Sequence, residues 1–252
     1  RAWSLLRDMA GKEAMEKLGD TLGKGSPWGP ENSMKLSPSS STPKSGASPG
    51  QEQEMDQELK ALLVKASGLP QATRETRRLR LLKPRPDVKG FRPAVQAARD
   101  ILAQRLTWLT MSGDKGTGKS HIALGVAWDW LEAGGSCRYT VVSEMLERLK
   151  QTYDLTPEQA FELKYPRFET VFGWYCDSPL LILDDLGLEK LTEWVTEKLD
   201  YLVDYRYLRR LPLVVATNTV MGELPPRIAD RLQDRRLGRV IVLSGPSYRT
   251  QG

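Results

Sequence analysis

The amino-acid sequence predicts an α/β fold in which a parallel β-sheet is flanked by helices. Short apolar segments with the character of buried strands alternate with helical segments along residues 93–252. A glycine-rich loop at residues 113–120 joins one of these strands to the helix that follows it. Hydrophobic residues make up 40% of the chain and charged residues 27%, which fits a globular protein and excludes a fibrous one.

Three segments precede the predicted main domain. Apolar residues at helical spacing predict a short helix over residues 1–22, which is a candidate partner-binding element. Residues 23–50 are predicted to form a disordered, flexible linker, because 17 of the 26 residues 25–50 are Gly, Ser or Pro. We expect residues 51–92 to hold a second helix and a basic connector.

The connector carries eight Lys or Arg residues between positions 74 and 92, against Glu75 and Asp87. Such a run is usually a solvated surface, and we favour that interpretation slightly. A dedicated contact with DNA is the alternative.

The main domain, residues 93–252, is predicted to contain five strands. The predicted elements are, in order, a helix over 93–105, a strand over 108–111, a helix that follows the glycine loop and ends at 134–135, a strand over 138–142, a helix from 143, a strand over 180–183, a helix from 192, a strand over 213–216, a helix over 226–232 and a strand over 240–243.

Composition and charge exclude several classes of function. The net charge of +5 permits a nucleic-acid partner without requiring one. Cys137 and Cys176 are too few for a four-cysteine zinc site or a disulfide framework, and His121 is the only histidine, which excludes a histidine-based metal cluster. No apolar run approaches the ~20 residues that cross a bilayer. We expect a cytoplasmic protein with no membrane partner.

The glycine loop matches the phosphate-binding pattern G-x-x-x-x-G-K-[ST]. Its residues are Gly113, Asp114, Lys115, Gly116, Thr117, Gly118, Lys119 and Ser120. In this P-loop the backbone N–H groups would surround phosphate oxygens, Lys119 would neutralise the β- and γ-phosphates of a nucleotide, and Ser120 would bind Mg²⁺. We group His121 with the loop, with a packing or capping role in the new helix. An ordinary glycine-rich turn is the alternative.

Two carboxylates follow the apolar segment 180–183. In a parallel sheet, the carboxyl ends of the strands lie at one edge, so Asp184 and Asp185 are expected beside the P-loop. Asp184 would bind Mg²⁺ through water, and Asp185 would orient or deprotonate the attacking water. Acids at a strand end also cap the next turn, which is the alternative.

Further polar residues follow the next strand. Asn218 lies just beyond residues 213–216 and would hold the γ-phosphate or the water; a turn-forming Asn has equal weight. An arginine cluster comes after it, and it is either a solvated basic surface or the source of an arginine that completes a neighbouring subunit's site. Its members are Arg227, Arg231, Arg235, Arg236, Arg239 and Arg249.

With these residues, the chain resembles the AAA+ ATPases of the DnaC/DnaI helicase-loader family, which also includes the IstB-type transposition helpers. The resemblance covers roughly residues 62–249. It rests on the P-loop followed by His121, and on segments later in the chain. These are LLILDDLGLEK at 180–190, LPLVVATN at 211–218, the Arg-Ile-x-x-Arg-Leu pattern at 227–232 and the Ser-Tyr-Arg ending at 247–249.

The resemblance implies a role for each matched residue. It identifies Lys119 and Ser120 as Walker A, Asp184 and Asp185 as Walker B, Asn218 as sensor 1, Arg231 as the arginine finger that acts on a neighbouring subunit, and Arg249 as the sensor 2 position. Asp185 stands where many AAA+ proteins have Glu, and its shorter side chain predicts slow basal hydrolysis. The few residues after Arg249 predict that a full C-terminal lid is missing.

The resemblance also implies a surface that binds single-stranded DNA. Loaders use the helix after the second strand, which here corresponds to residues 144–153. The candidates are Lys150 for phosphate, Thr152 as a hydroxyl and Tyr153 for base stacking. A helix end whose tyrosine packs on the core is an equal alternative.

Taken together, the expected function is that of a Mg-ATP-dependent ATPase that binds single-stranded DNA and loads a replicative hexameric helicase as a homo-oligomeric ring or spiral. One alternative is a transposition helper of the same family that binds duplex target DNA. The other is a DNA-binding adaptor that holds ATP without hydrolysing it.

Overall fold

The computed structural model describes residues 49–153, 155–187 and 190–248. They fall into two compact units, of which one ends at Ala66 and the other begins at Ser67. The first unit is described by helix α1 (Pro49–Ser67), whose first two residues lie within the predicted linker. The predicted helix over 1–22 and linker residues 23–48 lie outside the described residues.

The second unit alternates strands and helices. Its elements are α2 (Phe91–Leu102), β1 (Trp108–Gly113), α3 (Lys119–Glu132), β2 (Cys137–Val141), α4 (Val142–Tyr153), α5 (Pro157–Glu162), α6 (Phe168–Asp177), β3 (Leu180–Leu186), α7 (Glu193–Arg209), β4 (Leu213–Thr217), α8 (Pro226–Leu232) and β5 (Gly238–Leu243), with 3₁₀ turns at Gln71–Thr73, Leu79–Leu81 and Met221–Glu223.

The five strands form one sheet in the order β2-β3-β4-β1-β5, and every pair is parallel. The central strand β4 is buried along its whole length, as is expected for an apolar strand between two neighbours. Helix α3 packs across β2, β3 and β4, while α2 packs on β1 and β5. The predicted parallel sheet flanked by helices is therefore confirmed.

Two helices of this unit were not predicted from the sequence. Helix α5 begins at a capping box, in which the Thr156 hydroxyl accepts from the Gln159 N–H and the Gln159 side chain accepts from the Thr156 N–H. The segment Thr156-Pro157-Glu158-Gln159 carries this signal. Helix α6 lacks a side-chain cap and is held instead by burial of residues such as Val171 and Trp174.

At Arg78, the structure agrees with neither interpretation of the basic connector. This side chain is buried, and its guanidinium donates to the Trp128 carbonyl and to both carboxylate oxygens of Glu132. Arg78 is therefore neither solvated nor available to DNA, because it ties the connector to α3.

None of the helices in the described part of the chain is both long and apolar enough to cross a membrane.

Candidate functional site

Polar side chains converge where three neighbouring strands end. The glycine loop follows β1, the two acids lie at the end of β3, and Asn218 follows β4. Because β4 lies between β1 and β3, Asn218 lies between the loop and the acids. The predicted arrangement at the carboxyl edge of the sheet is thus present.

The glycines shape the loop. Gly113, Gly116 and Gly118 have φ angles of 120°, 77° and 103°, which side chains rarely tolerate. A Cβ atom at Gly116 would overlap the side chain of Ser247, and one at Gly113 would overlap the carbonyl of Leu243. The loop can follow this path only because these positions are glycine.

Lys119 begins α3 and is directed into the loop. Its side chain is buried, and Nζ donates to the carbonyl oxygens of Gly113 at 2.8 Å and Asp114 at 2.7 Å. Burial lowers the pKa of this ammonium, and the negative charges of Asp185, Asp114 and Asp184 oppose that effect. The ammonium is therefore held against the carbonyl oxygens of the loop itself.

Asp114 anchors the loop to the end of β5 and the residues after it. Its N–H donates to the Leu243 carbonyl, and its carboxylate accepts from the Ser244 hydroxyl at 2.8 Å and the Gly245 N–H at 3.1 Å, which lowers its pKa. The backbone N–H that was expected to meet phosphate is thus already donated. Lys115 is exposed, and the buried Thr117 hydroxyl donates to the Asp114 carbonyl.

The hydroxyl of Ser120 and the carboxylate of Asp184 are in direct contact. Ser120 Oγ donates to Asp184 Oδ1 at 2.9 Å, and the Tyr139 hydroxyl donates to Oδ2 at 2.6 Å. Asp184 is only 3% exposed. Burial raises the pKa of its carboxyl, while the two hydroxyl donors oppose that shift.

Asp185 has an unusual backbone. Its φ of 54° is left-handed, and the register of β3 against β4 shifts between Leu183 and Leu186, so the strand carries an irregularity here. A left-handed φ in a residue other than glycine is a form of backbone strain, and such strain is concentrated at functional sites. Asn218 Nδ2 donates to Asp185 Oδ1 at 3.2 Å, which links the two residues that were predicted to handle the attacking water.

These residues fit a Mg²⁺ ion. Mg²⁺ prefers oxygen ligands and keeps several waters and phosphate oxygens, so one hydroxyl and one carboxylate suffice from the protein. The hydrogen-bond partners of the buried Asp184 carboxylate are two hydroxyls and the Asp185 N–H, all of which are neutral. A nearby cation would therefore balance its charge. The described residues contain no group of three or more His, Cys, Asp or Glu that could hold a metal.

His121 contacts the basic connector. Because an arginine can only donate, His121 Nδ1 accepts from Arg77 Nη1 at 3.0 Å. Burial and the Arg77 charge lower its pKa. The contact between Arg77 and His121 ties the connector to α3.

The candidate finger Arg231 lies on α8, against α7. Its Nε donates to Asp204 at 3.0 Å, and its guanidinium lies 4.4 Å from the Tyr207 ring centre. Asp204 also pairs with Arg227, whose side chain is more exposed. The hydrogen bond that Arg231 donates to Asp204 raises the pKa of the guanidinium, so the cation persists. The sensor 2 candidate Arg249 lies outside the described residues.

The three residues expected to contact DNA differ in their surroundings. Tyr153 is 52% exposed and packs edge-on against Phe168 and Trp194, while Lys150 Nζ lies 5.9 Å from the Trp194 ring centre. Thr152 is buried, and its hydroxyl donates to the Leu149 carbonyl within the helix. The expectation that Thr152 offers a hydroxyl to DNA is therefore corrected.

Sequence reasoning missed Tyr139 and Asp204. Neither belongs to a motif: Tyr139 lies in the middle of β2, and Asp204 lies within the long helix α7. Their contacts with Asp184 and Arg231 depend on strand register and on helix packing. Only the knowledge that β2 pairs with β3 would have singled out Tyr139.

Comparison with known proteins gives the family. A family model described as "IstB-like ATP binding protein" matches residues 103–251, which is more than half of the chain. The chain belongs to this family. The replicative helicase loader DnaC of Escherichia coli K12 is 24% identical over 173 residues, covering 66% of this chain and 67% of DnaC. An ATP-binding protein of an insertion sequence from Mycobacterium tuberculosis is 29% identical over 164 residues, covering 60% of this chain and 61% of that protein.

Solved structures of similar shape establish the fold of this IstB-like chain. The DnaC helicase loader matches with a TM-score of 0.56 at 19% identity, over 68% of this chain and 98% of that one. DnaI matches with a TM-score of 0.55 at 21% identity, over 71% and 94%. AMPPCP-bound DnaA from Aquifex aeolicus matches with a TM-score of 0.55 at 17% identity, over 67% and 50%. The P-loop fold of AAA+ type and the resemblance to DnaC and DnaI are confirmed.

Proposed function

We propose that this chain is a Mg²⁺-dependent ATPase that works as an oligomer on single-stranded DNA and loads a replicative helicase. The observation that carries the catalytic part is the contact of Ser120 Oγ with Asp184 Oδ1 at 2.9 Å. It joins the P-loop helix to the acid-bearing strand at the place where Lys119 is directed into the loop. Asp185, next to this contact, adds the carboxylate that hydrolysis would require beyond the binding of Mg-ATP.

Each polar residue then has a task. Lys119 would bind the β- and γ-phosphates, and Ser120 with Asp184 would hold the metal ion. Asp185, held by Asn218, would orient the attacking water. Bound Mg-ATP supplies the phosphoanhydride bond that is cleaved. Since Asp185 has a shorter side chain than the Glu found in many AAA+ proteins, we expect slow basal turnover.

Arg231 would complete the site of a neighbouring subunit. It is 30% exposed, and its Nε is fixed by Asp204 while its Nη1 meets only the exposed Asp230 carboxylate. The guanidinium is thus positioned by the half-buried contact with Asp204, while its contact with Asp230 is a weak surface one. A guanidinium held in this way is suited to reach phosphate across a subunit interface.

Mixing two inactive variants tests the ATPase and the oligomer together. Lys119→Ala would lack phosphate binding, and Arg231→Ala would lack the finger, so each variant alone is expected to hydrolyse ATP at least ~100-fold more slowly than the wild type in its stimulated state. In an equal mixture, about a quarter of the interfaces would pair an intact P-loop with an intact finger. Steady-state ATPase assays would then show recovery to roughly that fraction.

No recovery on mixing would contradict the shared site. Full activity of Lys119→Ala alone would contradict hydrolysis at the P-loop, and it would favour the adaptor that holds ATP without hydrolysing it. Mass measurement with ATP, with and without single-stranded DNA, would show whether the variants assemble.

The replication role is supported by the similarity to DnaC and by the fold shared with DnaI. Lys150 and Tyr153 provide a cation and a half-exposed ring on α4 for single-stranded DNA. We expect the full chain with ATP to retain a purified hexameric helicase on affinity resin. Retention that does not change in the Lys119→Ala variant would contradict an ATP-dependent loader.

A second candidate is a transposition helper that binds duplex target DNA. The family model and the relative from an insertion sequence both favour it. Parallel pull-downs with a hexameric helicase and with a transposase discriminate between the two. A duplex affinity above the single-strand affinity, together with retention of the transposase alone, would replace the loader proposal.

A further inference from the structure

Two hydroxyl donors reach the Asp184 carboxylate, one on each oxygen, and Oδ1 also accepts from the Asp185 N–H. Oδ1 accepts from the Ser120 hydroxyl at 2.9 Å, and Oδ2 accepts from the Tyr139 hydroxyl at 2.6 Å. The first of these lies on the P-loop helix and belongs to the predicted site. The second comes from β2, which carries no part of any motif.

Strand geometry explains how Tyr139 reaches this carboxylate. Strands β2 and β3 are parallel, with Tyr139 opposite Ile182 and Val141 opposite Asp184. Side chains two residues apart on a strand share a face, so Ile182, Asp184 and the Tyr139 ring lie on the same face of the sheet. The long phenol ring then spans the rise of two residues toward the end of β3.

The contact between the Tyr139 hydroxyl and the Asp184 carboxylate is buried, which strengthens it. Tyr139 is 9% exposed and Asp184 is 3% exposed, so water competes little for either group. Hydrogen bonds from a neutral donor to an ionised acceptor are stronger than those between neutral groups, and they restrict the orientation of the acceptor. The Tyr139 hydroxyl thus holds Oδ2 and, together with the two donors on Oδ1, restricts the rotation of the carboxylate.

We propose that Tyr139 is a positioning residue for the metal-binding end of the nucleotide site, acting through Asp184. The inference rests on the proposed function, because it assigns Ser120 and Asp184 to Mg²⁺. By holding Oδ2, Tyr139 leaves one carboxylate oxygen in place for the metal shell or its water. Without it, the carboxylate turns more freely and one of its buried oxygens loses its donor.

The Tyr139→Phe variant tests this with a binding measurement rather than an activity. A fluorescent ATP analogue is titrated in Mg²⁺ and in EDTA, and the ratio of the two dissociation constants gives the gain in affinity due to Mg²⁺. We expect Tyr139→Phe to reduce this gain about tenfold and to leave the EDTA value unchanged. Because both titrations use one preparation, a folding defect would change both values alike.

Two further variants separate positioning from a general loss of packing. Tyr205→Phe removes another tyrosine hydroxyl that donates to a carboxylate, that of Asp177, and it should leave the Mg²⁺ gain unchanged. In an Asp184→Asn background, Tyr139→Phe should reduce the gain no further, since the residue through which it acts is already altered.

A full Mg²⁺ gain in Tyr139→Phe would overturn the inference, as would an equal loss in Tyr205→Phe or an additive loss in the Asp184→Asn background. If the wild type itself shows no Mg²⁺ gain, the metal assignment fails, and this inference fails with it. If the wild type shows the gain and Tyr139→Phe keeps it, only the role of Tyr139 is lost.

Discussion

The strand-end site and the α4 surface were both assigned functional residues from the sequence, and they differ in how the structure uses them. At the strand ends, the side chains of Lys119, Ser120 and Asp184 meet polar partners within 3 Å, in a buried setting. On α4, Thr152 turns inward, and Tyr153 packs against other rings. Residues that act on one phosphate must lie close to each other in fixed positions. Residues of a binding surface have more freedom, and some of them pack against neighbouring side chains.

The two regions also differ in how far residue spacing in the sequence identifies them. A P-loop needs glycine, lysine and a hydroxyl at fixed places, so its chemistry can be read from the chain. The α4 surface has no such rule, because stacking tolerates many arrangements of rings and cations. The comparison predicts that single substitutions at the strand ends lower the activity strongly. On α4, each substitution should have a smaller effect, because several residues contribute to binding.

The largest effect is expected at the P-loop lysine. Lys119→Ala should lower kcat for ATP at least ~100-fold, because the buried ammonium that would meet the developing phosphate charge is removed. Lys115→Ala is the matched control, since this loop lysine is exposed, and it should stay within about twofold of the wild type. Equal losses in the two variants would mean that general loop charge, and not the position of Lys119, matters.

Asn218 should give a smaller effect of a different kind. Asn218→Ala frees the Asp185 carboxylate, so we expect kcat to fall about tenfold, which is ~1.4 kcal/mol, with little change in ATP affinity. Steady-state kinetics and a binding titration measure the two quantities separately. Weaker ATP binding with an unchanged kcat would assign Asn218 to holding the nucleotide instead.

On the α4 surface, single-stranded DNA affinity should depend on Tyr153 and not on Thr152. Tyr153→Ala should weaken binding of an oligonucleotide about tenfold, since one stacked base contributes ~1–3 kcal/mol. Thr152→Val keeps the volume and removes a hydroxyl that is already bonded within the helix, so the affinity should not change. Fluorescence anisotropy at fixed salt measures both. A loss in Thr152→Val that equals the loss in Tyr153→Ala would return Thr152 to the DNA surface.

The smallest expected effect comes from substitutions at the start of α5, and it concerns the stability of the fold without a change in nucleotide binding. Thr156→Ala removes the N-cap of α5 and should lower the free energy of unfolding by about 1 kcal/mol, without changing ATP affinity. Gln159→Ala removes only the reciprocal bond of the capping box and should cost less. Denaturant unfolding measures both. A change in ATP affinity in either variant would mean that this region and the nucleotide site are not independent.

Much of the fold could be predicted because strands β1, β3 and β4 each begin with a short, mostly apolar run. Strands β1, β3 and β4 agree with the predicted segments, apart from one to three residues at their carboxyl ends, where the site lies. Helix α6 was missed because it is held by tertiary burial and has no side-chain cap. Tyr139 and Asp204 were missed because strand register and helix packing, which no local motif records, create their contacts.

Coupling between Ser120 and Asp184 tests the central claim most directly. The affinity for ATP is measured in Mg²⁺ and in EDTA for the wild type, Ser120→Ala, Asp184→Asn and the double variant. If the two residues hold one metal ion, either substitution removes most of the Mg²⁺ gain, and the double variant loses little more. Single variants that both keep the wild-type Mg²⁺ gain would contradict the account.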